Sequence, residues 1–345
     1  MSELQLVRIL FLTAASFICA FLCTPILTHF LYKYKLGKQI RNNGNTPIFS
    51  ALHAHKAGTP TMGGILIWGT LLIFIIFFFY LGKFFPGLDS LNFFSRPETL
   101  LPLGILIFSA LVGLFDDWLD VLGKGKGGLR MKHRLLIYTL IAAIGAAWFY
   151  FKLDWTTLHI PFLGNFEIGA WYIPFFIFVI VATAFSVNET DGLDGLAGGT
   201  LLISFASFAV ISFSLGRYDL AAFCGVIIGA LVAFLWFNIT PARFYMGDTG
   251  AMSLGITLGV IALLTNSAFI LPIIGLIFVI ESLSVIIQLT SKKLRGGKKF
   301  FKSAPIHHHF QALGWSEPKI VMRFWMIAGV AAAIGLIVFF LDIRF

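Results

Sequence analysis

Five polar clusters interrupt an otherwise apolar chain, and each holds residue types that do chemistry. Phe115-Asp116-Asp117-Trp118-Leu119-Asp120 puts three carboxylates after an apolar run and before a basic segment, Lys124 to Arg134. Asn188-Glu189-Thr190-Asp191-Gly192-Leu193-Asp194 adds an amide and more carboxylates, with glycines that permit sharp turns and close approach to a ligand. Asp191 and Asp194 share a face if that stretch is helical. Gly247-Asp248-Thr249-Gly250 places one carboxylate at a helix start. Lys56 to Thr61 supplies a cation and a hydroxyl, and a Gly63-Gly64 pair that lets backbones approach closely follows it. Near the other end stands His307-His308-His309.

Taken singly, each cluster reads as a cap, a turn or a solvated loop. Taken together they form a set of oxygen, ammonium and imidazole groups with no thiol pair and no serine nucleophile motif. Hard oxygen ligands suit Mg²⁺ or Mn²⁺, and Mg²⁺ usually binds one or two carboxylates plus substrate phosphates. Consecutive histidines diverge and cannot all reach one ion; imidazoles donating to phosphate oxygens fit better. Lysines and histidines would neutralise phosphate charge, and a further carboxylate would orient or deprotonate an attacking group. Cys19, Cys23 and Cys224 lie in apolar runs without zinc spacing. These residues permit metal-assisted phosphoryl transfer between a soluble diphosphate and a lipid acceptor. Glu281, inside an apolar run, is an intramembrane carboxylate and so a further functional candidate.

The elements that must position these groups are membrane helices. The chain is 58% hydrophobic and 12% charged over 345 residues, against about 25% charged in soluble domains. Runs at 7–32, 62–82, 100–119, 135–151, 171–187, 199–215, 219–238, 251–265, 268–290 and 321–342 are expected to be ten transmembrane helices in one polytopic domain spanning 1–345. The first is expected to be retained rather than cleaved as a signal. None alternates as a barrel strand would. With ten spans, one set of loops holds most of the Lys and Arg. The other holds only Arg8, Lys83, Arg96, Lys152, Arg217 and Arg344. Positive-inside bias then places both termini outside the cytoplasm and all five clusters inside. That distribution also accounts for the net charge of +9 without a nucleic-acid partner. A small outer-side β-hairpin is expected in 152–170, where strand-like residues flank Gly164-Asn165.

The motifs resemble a known family. Asp-Asp-x-x at 116–119, the Asn188–Gly199 stretch, Phe244–Gly250, Pro305–Phe310 and His55–Gly64 look like those of phospho-N-acetylmuramoyl-pentapeptide-transferases, within the polyprenyl-phosphate N-acetylhexosamine-1-phosphate transferases. The resemblance covers nearly the whole chain. It implies transfer of phospho-MurNAc-pentapeptide from UDP-MurNAc-pentapeptide to undecaprenyl phosphate, giving lipid I and UMP for peptidoglycan synthesis. It also implies an Mg²⁺ requirement and a multi-pass protein of the bacterial inner membrane. By the same resemblance Asp248 ligates the metal, and Asp116 and Asp117 form the acidic pair beside it. Asn188 and Asp191 line the cleft. Lys56, Asp194 and Tyr245 hold the nucleoside, Tyr245 by stacking. Thr61 and His307–His309 contact the sugar and phosphates, and Lys132 matches a basic position near the phosphates. Membrane lipid is the expected surrounding, and self-association into a homodimer is left open.

One position departs from the pattern. The family usually reads Asp-Asp-x-x-Lys, and here the last position is Asp120. A lysine there would sit one turn from Asp116 on the same face; the carboxylate reverses that charge, and Lys124 or Lys126 is a candidate substitute. The nearest rival reading is a polyprenyl-phosphate GlcNAc-1-phosphate transferase, which donor competition separates. An ion-coupled transporter would instead place its carboxylates near mid-membrane within paired repeats.

Overall fold

A computed structural model describes residues 2–37, 56, 58–95, 98–123 and 128–343. Lys124 and Lys126 therefore lie outside the described residues, as does His55. Helices dominate: α1 (Ser2–Lys33), α2 (Ile65–Phe84), α3 (Leu100–Leu122), α4 (Met131–Lys152), α5 (Tyr172–Thr190), α6 (Leu196–Ser214), α7 (Tyr218–Asn238), α8 (Asp248–Leu264), α9 (Leu271–Ile274), α10 (Leu276–Leu294), α11 (Ile306–Ala312) and α12 (Glu317–Asp342). Among the described residues eight of these, α1 to α7 and α12, are long and apolar enough to cross a membrane, which makes this a multi-pass membrane protein.

Two of the expected spans differ. α8 is the short one, with 17 residues. The run at 268–290 is not one helix: it is broken into α9 and α10 at Gly275, with Pro272 in the first turn of α9. Glycine carries the largest backbone entropy and proline cannot continue a preceding helix, so the break falls where propensity is weakest. α10 also carries Glu281, Lys292 and Lys293.

Helix α8 is the centre of the bundle. Every residue from Thr249 to Leu264 is buried, as suits a helix that is apolar all round. α3 and α5 pack along it, α7 packs against α1 and α6, and α12 lies on α6. The outward faces keep large apolar side chains such as Phe77, Phe108, Leu140, Phe178 and Val330 exposed. A surface of that kind is stable only in contact with lipid.

A two-stranded antiparallel sheet pairs β1 (Thr157–Ile160) with β2 (Gly164–Glu167). Gly164 and Asn165 belong to the second strand; the turn is Pro161-Phe162-Leu163, closed by Leu163 N–H donating to the Ile160 carbonyl at 3.0 Å. Asp342, at the end of α12, accepts the Phe162 N–H at 2.7 Å and pairs with His159 at 2.5 Å. Asn266, just past the end of α8, accepts the His159 N–H. The hairpin thus sits at the end of the bundle opposite Asp248 and Glu317, where α8 and α12 begin.

Candidate active site

The start of α8 is held by a carboxylate from another helix. The first N–H groups of a helix have no intrahelical acceptor. Here Asp117 supplies two: its Oδ1 accepts the Asp248 N–H at 2.9 Å and its Oδ2 the Thr249 N–H at 3.0 Å. Thr249 Oγ1 donates back to the Ala110 carbonyl of α3 at 2.8 Å. The backbone that delivers α8 is pinned from the other side, with Gly63 and Gly64 N–H donating to the Tyr245 and Met246 carbonyls at 2.7 and 2.9 Å. A side chain at Gly64 would overlap the backbone of Gly250, so only glycine allows this approach. Thr61 is buried beside Gly247, facing Asp117.

Asp248 opens α8 and faces a cation from α4. Arg134 places Nε 2.8 Å from Asp116 Oδ2, one terminal nitrogen 2.6 Å from Asp248 Oδ2 and the other 3.1 Å from Asn188 Oδ1. The Asn188 amide donates to the remaining Asp248 oxygen, and the Leu129 N–H donates to Asp116 Oδ1 at 2.5 Å. Asp116, Arg134, Asn188 and Asp248, from four elements, thus form one mostly buried network. An Arg fork suits two carboxylates because its donors are fixed in a plane.

A second cluster lies nearby. Lys56 Nζ is 2.6 Å from Asp194 Oδ1 and 2.5 Å from Glu317 Oε1. The other Asp194 oxygen accepts the Ala242 N–H, and Glu317 Oε1 also accepts the Asp194 N–H at 2.6 Å. Asn238 joins the same loops: it accepts the Gly195 N–H at 2.9 Å and donates to the Phe244 carbonyl at 2.8 Å. Lys56 Nζ stands 6.0 Å from the centre of the Tyr245 ring. Burial pushes the Tyr245 hydroxyl up to about 12, and the carboxylates of Asp194, Glu317 and Asp191 push in the same direction. Tyr245 is therefore a neutral ring beside an ammonium.

The three histidines do three different things. Adjacent residues of a helix point about 100° apart. His307 is fully buried, with Nδ1 2.9 Å from Glu281 Oε2. Its Nε2 points at Gly192, where a side chain would collide with the ring. Burial, then the charge of Lys56, lowers His307 to about 3, so the imidazole is neutral. His308 lies against it with ring centres 4.1 Å apart and shares a hydrogen bond with Gln311 at 2.8 Å. His309 accepts the Lys302 N–H and meets the Phe301 ring.

Of the residues singled out from sequence, Asp116, Asn188 and Asp248 share the Arg134 network, and Asp117 and Thr61 border it. Lys56, Asp194 and Tyr245 share the second cluster, with Asp191 close enough to act on Tyr245. Lys132 is exposed and stands outside both; Arg134, two residues on and so on another face of α4, occupies the network. Asp120 is half-buried and has no ion-pair partner among the described residues. Arg134, Asn238 and Glu317 are additions from the structure. The first two give no sequence signal beyond lying in polar stretches, and Glu317 reads from sequence only as an acidic first-turn residue.

The donor set is one of hard oxygens, the kind that Mg²⁺ takes. Among the described residues no group of three or more His, Cys, Asp or Glu side chains is arranged to hold an ion unaided. Asp248, with Asp116 beside it, offers carboxylate oxygens of the kind a cation completed by substrate phosphates would take.

The fold and site are those of a multi-pass helical membrane protein that concentrates carboxylates, an arginine and a lysine at one end, and residues 99–266 match the model of Glycosyl transferase family 4. Residues 56–67, which include Lys56, Thr61, Gly63 and Gly64, match the phospho-N-acetylmuramoyl-pentapeptide-transferase signature 1. The chain is 39% identical over 346 residues to the phospho-N-acetylmuramoyl-pentapeptide-transferase of Chloroflexus aggregans, covering 96% of this chain and 89% of that protein. It is 39% identical to that of Clostridium perfringens (94% and 96% covered) and 38% identical to that of Listeria monocytogenes (95% and 98%). The chain belongs to the phospho-N-acetylmuramoyl-pentapeptide-transferase family.

Proposed function

We propose that this protein transfers phospho-MurNAc-pentapeptide from UDP-MurNAc-pentapeptide to undecaprenyl phosphate, releasing UMP and forming lipid I for peptidoglycan synthesis. Family membership supports the phospho-sugar transfer. The observation that carries the site assignment is the convergence of Asp116, Arg134, Asn188 and Asp248 beside the Lys56–Asp194–Tyr245 cluster. One cluster suits a diphosphate and the other a nucleoside.

In this reading α1 to α8, the α9–α10 pair and α12 make ten crossings of the inner membrane, both termini and the hairpin lie outside, and the site faces the cytoplasm. Asp248 would hold Mg²⁺ at the donor diphosphate, with Asp116 beside it. When bound, the ion supplies charge neutralisation of the diphosphate. Tyr245 stacks on the uracil, and the Lys56 cluster meets the base edge. Arg134 lies where it can also contact phosphate oxygens, which its fork geometry suits. The lipid phosphate, already largely ionised at neutral pH, attacks the β-phosphorus directly; its oxygen bonds to phosphorus as the bond to the UMP oxygen breaks. Asp116 orients that phosphate or takes its remaining proton.

The test is UMP release from UDP-MurNAc-pentapeptide, with and without undecaprenyl phosphate and Mg²⁺. Release is expected only with all three. UMP release with trapping of a phospho-sugar on Asp116 or Asp117 in the absence of lipid would replace direct attack by a covalent intermediate. Competition by UDP-GlcNAc as an equal donor would move the protein to the GlcNAc-1-phosphate branch.

A further inference from the structure

Glu317 is the first residue of α12, 261 positions from Lys56 in the chain. An acidic residue in a first helical turn is ordinarily a partner for the helix dipole and faces water. This one is turned inward, its side chain only 10% exposed, onto Lys56 and the Asp194 N–H. Lys56 and Asp194 are equally sheltered, at 10% and 5%.

The chemistry of the ammonium gives this arrangement a purpose. Lysine is a point charge on a flexible four-carbon stem, and one carboxylate fixes its distance but not its direction. An ammonium has three donors. Asp194 takes one and Glu317 a second, which aims the third. Two carboxylates around one ammonium also leave the cluster with a net negative charge. The one ammonium hydrogen left over suits a neutral ligand with a carbonyl acceptor; the Arg134 network has the same sign of charge and takes a diphosphate only with a cation between them.

We propose that Glu317 is a positioning residue for the nucleoside half of the donor. It ties Lys56 and the 191–194 turn together so that the remaining ammonium hydrogen meets a carbonyl of a pyrimidine stacked on Tyr245. Glu317 itself does not touch the reacting phosphates. The inference rests on the donor being a uridine nucleotide.

The experiment measures UMP binding by calorimetry and steady-state kinetics on the full chain in detergent or nanodiscs, for wild type, Glu317→Gln, Glu317→Ala and Lys56→Met. Loss of a charge-assisted hydrogen bond to Lys56 is expected to weaken UMP binding about tenfold in Glu317→Gln. Donor KM should rise in parallel while KM for undecaprenyl phosphate stays put. Glu317→Ala, which also loses the acceptor for the Asp194 N–H, should be weaker still. In a Lys56→Met background the Glu317→Gln change should have no further effect on UMP affinity, because its target is gone. Equal shifts in both KM values, a full effect of Glu317→Gln without Lys56, or UMP binding unchanged in Glu317→Gln would each overturn the role. If Glu317→Ala fails to fold, the near-isosteric Glu317→Gln still decides. Wild-type protein that does not bind UMP would overturn the uridine-nucleotide reading as well; wild-type binding with an indifferent Glu317→Gln would overturn Glu317 alone.

Discussion

Arg134 stands between Asp116 and Asp248, 2.8 Å from a carboxylate oxygen of one and 2.6 Å from an oxygen of the other. The two acids come from different helices, and without the guanidinium they would repel. Arg134→Met should lower stability by about 3–5 kcal/mol, because it leaves buried carboxylates uncompensated. Arg134→Lys keeps the charge and loses the fork, and should cost kcat/KM about 10- to 100-fold with a smaller loss of stability. Thermal melts and UMP release on the two variants check both; an Arg134→Lys enzyme with wild-type turnover would remove the guanidinium from the mechanism.

Asp117 and Asp248 are expected to separate in a stability assay. Asp117 caps α8 through two backbone N–H groups. Asp117→Asn should therefore lower stability by about 1–3 kcal/mol, along with activity. Asp248→Asn keeps the helix cap intact and should abolish turnover while leaving the fold in place. Melting curves beside activity distinguish them. Wild-type turnover in Asp248→Asn would sink its assignment as metal ligand.

Gly64→Ala tests the seam between the start of α2 and the start of α8. The added methyl meets the Gly250 backbone, which cannot rotate away as a side chain would. A loss of about 1–3 kcal/mol is expected from overpacking, and activity should fall because Asp248 rides on the displaced helix. An alanine variant that melts and turns over like wild type would show that the seam has slack.

His307 gives a pH signature. It titrates at its ordinary 6.5 in the unfolded chain and is held down to about 3 in the fold. Between those values the unfolded state binds more protons, so stability falls as pH falls, by up to about 1.4 kcal/mol per unit, and is fully present above about 6.5. Wild type should lose more stability between pH 6.5 and 5 than His307→Gln. Parallel curves would show that the fold does not shift the His307 titration, and a wild type that gains stability relative to His307→Gln as pH falls would show the imidazole protonated in the fold.

The bundle was legible in the chain because a span needs only length and apolarity, and all ten apolar runs contain or become helices. What sequence leaves out is phase and distance. Lys132 and Arg134 look alike in the basic segment, and only the rotation of α4 decides which one meets Asp116. The three histidines look like one motif, whereas the helix they sit on sends them to Glu281, Gln311 and Lys302. Asp117 reads as half of an acidic pair; its bonds to the start of α8 depend on how α3 crosses it. Glu317 lies 123 residues from Asp194, and no local pattern announces the pairing. The break at Gly275 was present as composition, but apolarity outweighed it.

The most direct test of the whole account is the mass of the lipid product. Purified protein in undecaprenyl-phosphate vesicles with Mg²⁺ and UDP-MurNAc-pentapeptide should yield undecaprenyl diphosphate bearing MurNAc-pentapeptide, in a one-to-one ratio with UMP. A lipid product retaining a single phosphate, or UMP released with no new lipid, would contradict transfer of a phospho-sugar to a lipid phosphate.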